Sequence, residues 1–181
     1  MLFRSTSAGG PIVYGQTFSQ QDRQLTFLSF NARTLFNKVD ELGVLVNKHQ
    51  PLFVSVQETW CNSQENDSLY QIEGYELFRR VRQSRVGGGV CIYGRTNAVA
   101  AVDRVEELEN DSLEDLWLKV TPRLTCNTLI VCSVYRSPNT SAASFAEHFE
   151  RSVATAKSLG CNVIITGDLN AKCCAWYNQI G

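Results

Sequence analysis

Five polar residues close apolar runs in this 181-residue chain: Asn31 after "LSF", Glu58 after "LFVSVQ", Tyr135 after "VCSV", and Asp168 and Asn170 in "VIITGDLN". Two are carboxylates, two are amides and one is a phenol. Carboxylate and amide oxygens from Glu58, Asn31 and Asp168 suit a hard divalent cation, Mg²⁺ or Mn²⁺. A phosphodiester needs its charge neutralised and a water activated, and such a cation contributes to both. Asn170 and Tyr135 add hydrogen-bond donors for phosphate oxygens. Arg136 follows Tyr135 directly, and "FRRVRQSR" gathers Arg79, Arg80, Arg82 and Arg85 ahead of a glycine triplet. Those guanidinium groups suit phosphate-backbone contacts, and equally a solvated hairpin shoulder. Taken singly, each residue has a bland explanation. An Asp-x-Asn after a strand is usually a turn, and a tyrosine usually packs with its hydroxyl at the surface. Only convergence would make them a site.

Convergence depends on the elements that deliver them. "LTFLSFN" (25–31) reads as a strand. In "TLFNKVDELGVLVNKHQP", Leu35, Val39, Leu42, Leu45 and Val46 recur at helical spacing, and Pro51 stops the helix. "LFVSVQET" (52–59) is the next strand, so this order predicts a parallel βαβ unit. Four short β runs follow, "GGGVCIYGR", "AVAAVDRV", "EDLWLKV" and "NTLIVCSVY", separated by turn residues that predict antiparallel neighbours. "TSAASFAEHFERSVATAKSLG" returns to helix, with Phe145, Phe149, Val153 and Ala156 as its apolar stripe and Gly160 as its stop. "NVIITGD" is the last strand. In α/β sheets ligands sit beyond the carboxyl ends of strands, where all five residues fall.

Composition narrows the setting. A hydrophobic fraction of 44% and a net charge of -1 describe a globular chain without a global positive field, so contact with a polyanion must be local. Residues 1–24 read as a flexible polar leader, with no core for a signal peptide, and residues 25–181 as one α/β domain. No apolar run is long enough to span a membrane. Seven cysteines without a C-x-x-C pair exclude zinc-finger and thioredoxin-like spacing, and fit reduced thiols in an intracellular, nuclear or cytoplasmic setting. Gly87-Gly88-Gly89 lacks P-loop spacing and reads as the approach to a strand. Trp117 reads as core.

The blocks "LSFNARTLFNKVDELGVLVNKHQPLFVSVQETW", "GGGVCIYGR", "EDLWLKV", "VYRSP" and "GDLNAK" occur in an order that resembles the endonuclease/exonuclease/phosphatase superfamily. The first block most resembles the endonuclease domain of non-LTR (LINE-type) retrotransposons. The resemblance covers residues 25–180 and implies a four-layer α/β sandwich, two packed mixed sheets flanked by helices. It implies that Glu58 is the principal Mg²⁺ ligand and that Asn31 lies near metal and phosphate. It further implies that Tyr135 contacts the scissile phosphate, that Asp168 orients or deprotonates water, and that Asn170 holds the phosphate. The implied reaction is Mg²⁺-dependent phosphodiester hydrolysis, with DNA as substrate and strand nicking for reverse transcription as its use. Another phosphoester substrate, or a non-catalytic remnant that binds nucleic acid, are the alternatives.

The family also places Ser-Asp-His-like and Asp-His motifs on later strands, and these do not occur before Gly181. The expectation is therefore a domain lacking its last strands, with weak or no activity alone. A further C-terminal segment or a reverse transcriptase would complete the parent protein. Neither histidine can substitute. His49 is separated from Glu58 by about 25–30 Å of extended chain at ~3.3 Å per residue. His148 lies roughly 10 Å along its helix at ~1.5 Å per residue.

Overall fold

The computed structural model describes residues 14–20, 23–83, 87–124 and 127–170, with side chains from residue 25 onward. Arg85, Cys126, Cys173 and Cys174 lie outside the described residues.

Among the described residues, nine strands and two α-helices follow one another: β1 (Tyr14–Gln20), β2 (Arg23–Asn31), α1 (Val39–His49), β3 (Phe53–Gln57), β4 (Tyr75–Arg80), β5 (Val90–Arg95), β6 (Val99–Arg104), β7 (Glu114–Pro122), β8 (Leu129–Tyr135), α2 (Ala142–Ser158) and β9 (Asn162–Asp168). They form a five-stranded sheet in the order β1-β2-β3-β5-β4 and a four-stranded sheet in the order β6-β7-β8-β9. Each sheet is mixed. β2 and β3 run parallel across α1, and β8 and β9 run parallel across α2, while the remaining pairs are antiparallel. This is the expected α/β sandwich.

Period-two alternation sorts the side chains into three apolar layers. On β2, β3 and β5, Leu28, Phe30, Val54, Val56, Cys91 and Tyr93 face α1 and meet Leu42 and Val46. The intervening Phe27, Phe53 and Ile92 face the other sheet, where they meet Leu116, Leu118, Leu129 and Val131. On the far side of the second sheet, Trp117, Ile130, Cys132 and Val134 pack on Phe145 and Ala156 of α2. Trp117 is fully buried, as expected of a core residue, and its indole N–H donates to Asp115.

One expectation is corrected. Part of the leader is a strand, because β1 pairs antiparallel with β2 from Tyr14↔Ser29 to Gln20↔Arg23. An edge strand needs backbone partners on one side only, so a mostly polar sequence suffices. Within the basic stretch, Arg79 and Arg80 end β4, a strand hidden from pattern reading by its run of charges.

Candidate active site

The two parallel pairs bring four carboxyl termini to one edge of the sandwich. Facing the gap between the sheets, side chains change character along each strand. Apolar residues come first (Phe27, Phe53, Val131), then buried polar ones, and finally the strand ends. Ser55 and Ser133 meet across the gap at 2.7 Å, and the Gln57 side-chain nitrogen donates to both, at 2.7 and 3.2 Å. Ser29 joins Gln57 at 3.4 Å. This buried network ties one sheet to the other directly beneath the strand ends. Each group is satisfied, so it locks the sheets in register at little desolvation cost.

Above it, Asn31, Glu58, Tyr135 and Asp168 converge. The Asn31 side-chain nitrogen donates to Glu58 at 2.7 Å and to Asp168 at 2.9 Å, joining positions 137 residues apart. Its oxygen accepts the backbone N–H of Arg33 at 3.1 Å, which fixes the amide orientation. Asn31 therefore meets the two carboxylates as a donor, whereas the sequence reading gave it the role of an oxygen ligand. The neutral amide nitrogen carries two N–H donors, one for each carboxylate. Tyr135 is buried, and its hydroxyl donates to Glu58. Burial above all, then the Glu58 and Asp168 charges, push its ionisation well above the ordinary value of 10.0. It remains a neutral donor.

The backbone is unusual at this edge. Glu58 and Asn170 have φ of 51° and 45°, a left-handed conformation that non-glycine residues seldom adopt. Arg33, Thr34 and Trp60 share it. The strain is held by a zipper between the two strand-end segments: Ala32, Thr34 and Leu35 donate to the carbonyls of Gln57, Glu58 and Thr59 at 2.8–3.0 Å. Thr59 and Trp60 in turn donate to Gly89 and Gly88. Gly87, Gly88 and Gly89 all have φ between 71° and 89°, which only glycine sustains over three residues.

Asn170 closes the site from another side, in a different role from the one expected. Its backbone N–H donates to Asp168 at 2.9 Å, and its side-chain nitrogen donates to the Arg136 carbonyl at 2.8 Å. Arg136, expected to touch substrate, instead clamps this loop by donating to the carbonyls of Leu169, Thr140 and Asn170. The described members of the basic cluster are likewise committed to protein. Arg79 binds Asp67 and the carbonyls of Asn62 and Glu65. Arg80 binds Asp115 on the opposite sheet and the Asn110 carbonyl in the segment leading into it, and Arg82 pairs with Glu114. Carboxylates placed far away in sequence take up the charge that looked free for phosphate. His49 is exposed at the end of α1, and the His148 ring lies 2.7 Å from the Ser144 carbonyl.

Glu58 and Asp168 thus face each other within two hydrogen-bond lengths, and neither has an ion-pair partner among the described residues. Two carboxylates with an unbalanced charge, flanked by an amide and a phenol, fit a Mg²⁺-type ion, which takes one or two carboxylates and keeps several waters. No group of three or more His, Cys, Asp or Glu side chains is arranged to hold a metal ion among the described residues, so a closed all-protein cage of the zinc type is not formed there.

Residues 28–180 match the model of the Endonuclease/Exonuclease/phosphatase family. The fold is similar to that of the endonuclease domain of TRAS1, a telomere-specific non-LTR retrotransposon (19% identity, TM-score 0.62, covering 83% of this chain and 61% of that one). It is also similar to the AP endonuclease LMAP from Leishmania major (16%, 0.69, 84% and 57%). A third is D. rerio TDP2 complexed with single strand DNA product (15%, 0.59, 85% and 64%). The chain thus spans roughly three fifths of each of these structures. No curated protein matches it.

Proposed function

Since the chain belongs to the endonuclease/exonuclease/phosphatase family, we propose that Glu58, Asp168, Asn31, Tyr135 and Asn170 form a Mg²⁺-dependent phosphodiester-hydrolysing site of the retrotransposon DNA-endonuclease type. The observation that carries this reading is the Asn31 amide bridging Glu58 and Asp168, two carboxylates with no cation beside them.

Glu58 and Asp168 would hold the ion, with Mn²⁺ an equivalent; a divalent cation there supplies charge to neutralise a phosphate and strengthens water as a nucleophile. The chain's own residues do the rest. Asp168, aimed by Asn31 and by the Asn170 N–H, takes the proton of the attacking water as the new O–P bond forms and the bond to the leaving oxygen breaks. Tyr135, kept protonated by its surroundings, turns its hydroxyl from Glu58 to a non-bridging phosphate oxygen. Asn31 keeps the carboxylates apart at a fixed spacing. The polar floor of Ser55, Gln57 and Ser133 holds the two halves of the site in register. DNA is the proposed substrate, and the similarity to the Leishmania AP endonuclease makes an abasic strand the second candidate.

The test is nicking of supercoiled plasmid by the 181-residue chain in Mg²⁺, beside EDTA and Glu58→Ala. Slow nicking abolished by both controls is expected. Nicking that survives either one contradicts the assignment. No nicking by folded protein would sink the hydrolytic reading and leave a nucleic-acid-binding one.

A further inference from the structure

Two residues beside the site expose side chains that would be costly to leave unused, an indole and a guanidinium. Trp60, two positions after Glu58, is 46% exposed, while Trp117 is fully buried. Its placement is built. The backbone is held left-handed at φ 55°, with its N–H donating to Gly88 at 2.9 Å. Gly87 lies against the ring: a Cβ there would stand 3.5, 3.7 and 3.9 Å from indole Nε1, Cε2 and Cδ1. Near-equal distances to three adjacent ring atoms mean contact with a face of the five-membered ring rather than its edge. The indole is thus supported by a residue too small to cover it. On the neighbouring segment, Arg33 is exposed, and its guanidinium has no partner among the described residues, unlike Arg79, Arg80, Arg82 and Arg136. The bonds from Thr34 to Glu58 and from Leu35 to Thr59 run these two segments side by side, so both residues sit on neighbouring backbone segments just beyond Asn31 and Glu58.

We propose that Trp60 is a stacking platform for an unstacked nucleobase next to the phosphate at Glu58, and that Arg33 grips a neighbouring phosphate. A nucleic-acid strand carrying an exposed base, rather than a small phosphoester, is then the substrate class. The proposal rests on the phosphodiesterase reading for where the strand lies, but its binding test does not require turnover. Every base has a π-face and every nucleotide a charge, so an aromatic plane with a cation recognises a strand without reading its sequence. A lipid surface is the weaker match, since the exposed stretch that follows Trp60 in the chain, Asn62 to Gln64, is polar.

The experiment uses the full chain in EDTA with a labelled ~12-nucleotide oligodeoxynucleotide, followed by anisotropy, and an abasic strand of equal length as comparison. Trp60→Ala is expected to weaken binding of the base-bearing strand about 5- to 100-fold, and Trp60→Phe to restore most of it. Binding of the abasic strand should change less than about twofold. Arg33→Gln should weaken both strands and lower the salt dependence by about one phosphate contact. Equal losses on both strands for Trp60→Ala would mean a merely structural role and overturn the proposal. So would unchanged binding, or an indole emission shift seen with phosphatidylcholine vesicles but not with the oligonucleotide. Loss of plasmid nicking with these binding effects intact would count against the hydrolytic reading alone.

Discussion

Gly167→Ala is the substitution whose consequence follows most directly from the geometry. A Cβ on Gly167 would fall far inside 3.0 Å of the Val134 carbonyl oxygen, with Val134 Cγ1 at 2.8 Å and the carbonyl carbon at 2.9 Å. The obstruction is backbone, so no rotamer change relieves it. β9 must back away from β8 by ~1 Å or more at a point one residue from the Tyr135↔Asp168 pair. Overpacking costs about 1–3 kcal/mol, and one or two stretched ladder bonds add about 1 kcal/mol each. The sum is about 2–5 kcal/mol, which in a chain of this size lowers Tm by about 4–20 °C. The same shift withdraws Asp168 from Asn31, now at 2.9 Å, and a misplacement of ~1 Å at a reacting group costs about 10²-fold in rate. Thermal melts and Mn²⁺ binding of wild type and Gly167→Ala supply the readouts. Adding Val134→Ala should not rescue the variant, because the carbonyl remains. A Gly167→Ala protein that melts within about a degree of wild type and binds metal equally would refute the reasoning.

Other consequences are briefer. Tyr135→Phe should lower phosphodiester hydrolysis about 10²-fold, the scale of one lost electrostatic donor, with little change in metal affinity. Because burial and the neighbouring carboxylates hold Tyr135 above its ordinary 10.0, wild-type activity should show no alkaline loss from this residue up to that pH. Glu65 accepts the Tyr70 hydroxyl at 2.6 Å, and that bond lowers its ionisation below the ordinary 4.5. A depressed carboxylate stabilises the fold above its unfolded value and stops doing so as pH falls through its folded one. Glu65→Gln should therefore cost about 1 kcal/mol at neutral pH, and denaturant titrations should show this gap closing below pH 4.5.

Much of this was legible in the chain because strands alternate with period two. "FLSFN", "FVSVQE" and "VCSVY" each carry a serine two places before the polar residue that ends the strand or its gap-facing row, so Ser29, Ser55 and Ser133 line the gap beneath the site. The pattern stood in the sequence, although the strand ends alone drew attention to it. The helices α1 and α2 were equally readable from their stripes. The arginines were not. Whether Arg80 meets solvent or Asp115 depends on two sheets packing face to face, which no local window encodes. The same holds for Arg136, whose carbonyl partners are mostly some 33 residues away. Gly167 shows a third limit. It sits inside the quoted "GDLN", but its need to be glycine comes from Val134 on a neighbouring strand. Trp60 and Arg33 had a faint signal, as an aromatic and a cation each two places beyond a strand-ending site residue. Only exposure and left-handed backbone separate them from ordinary surface residues.

The most direct test of the central claim, a divalent-cation site between Glu58 and Asp168, is an electron paramagnetic resonance titration of the 181-residue chain with Mn²⁺, beside folded Glu58→Gln and Asp168→Asn. The account predicts a saturable site in the wild type that Mg²⁺ displaces and that each substitution weakens about tenfold or more. Binding that is equal in all three proteins, or absent from the wild type, would contradict it.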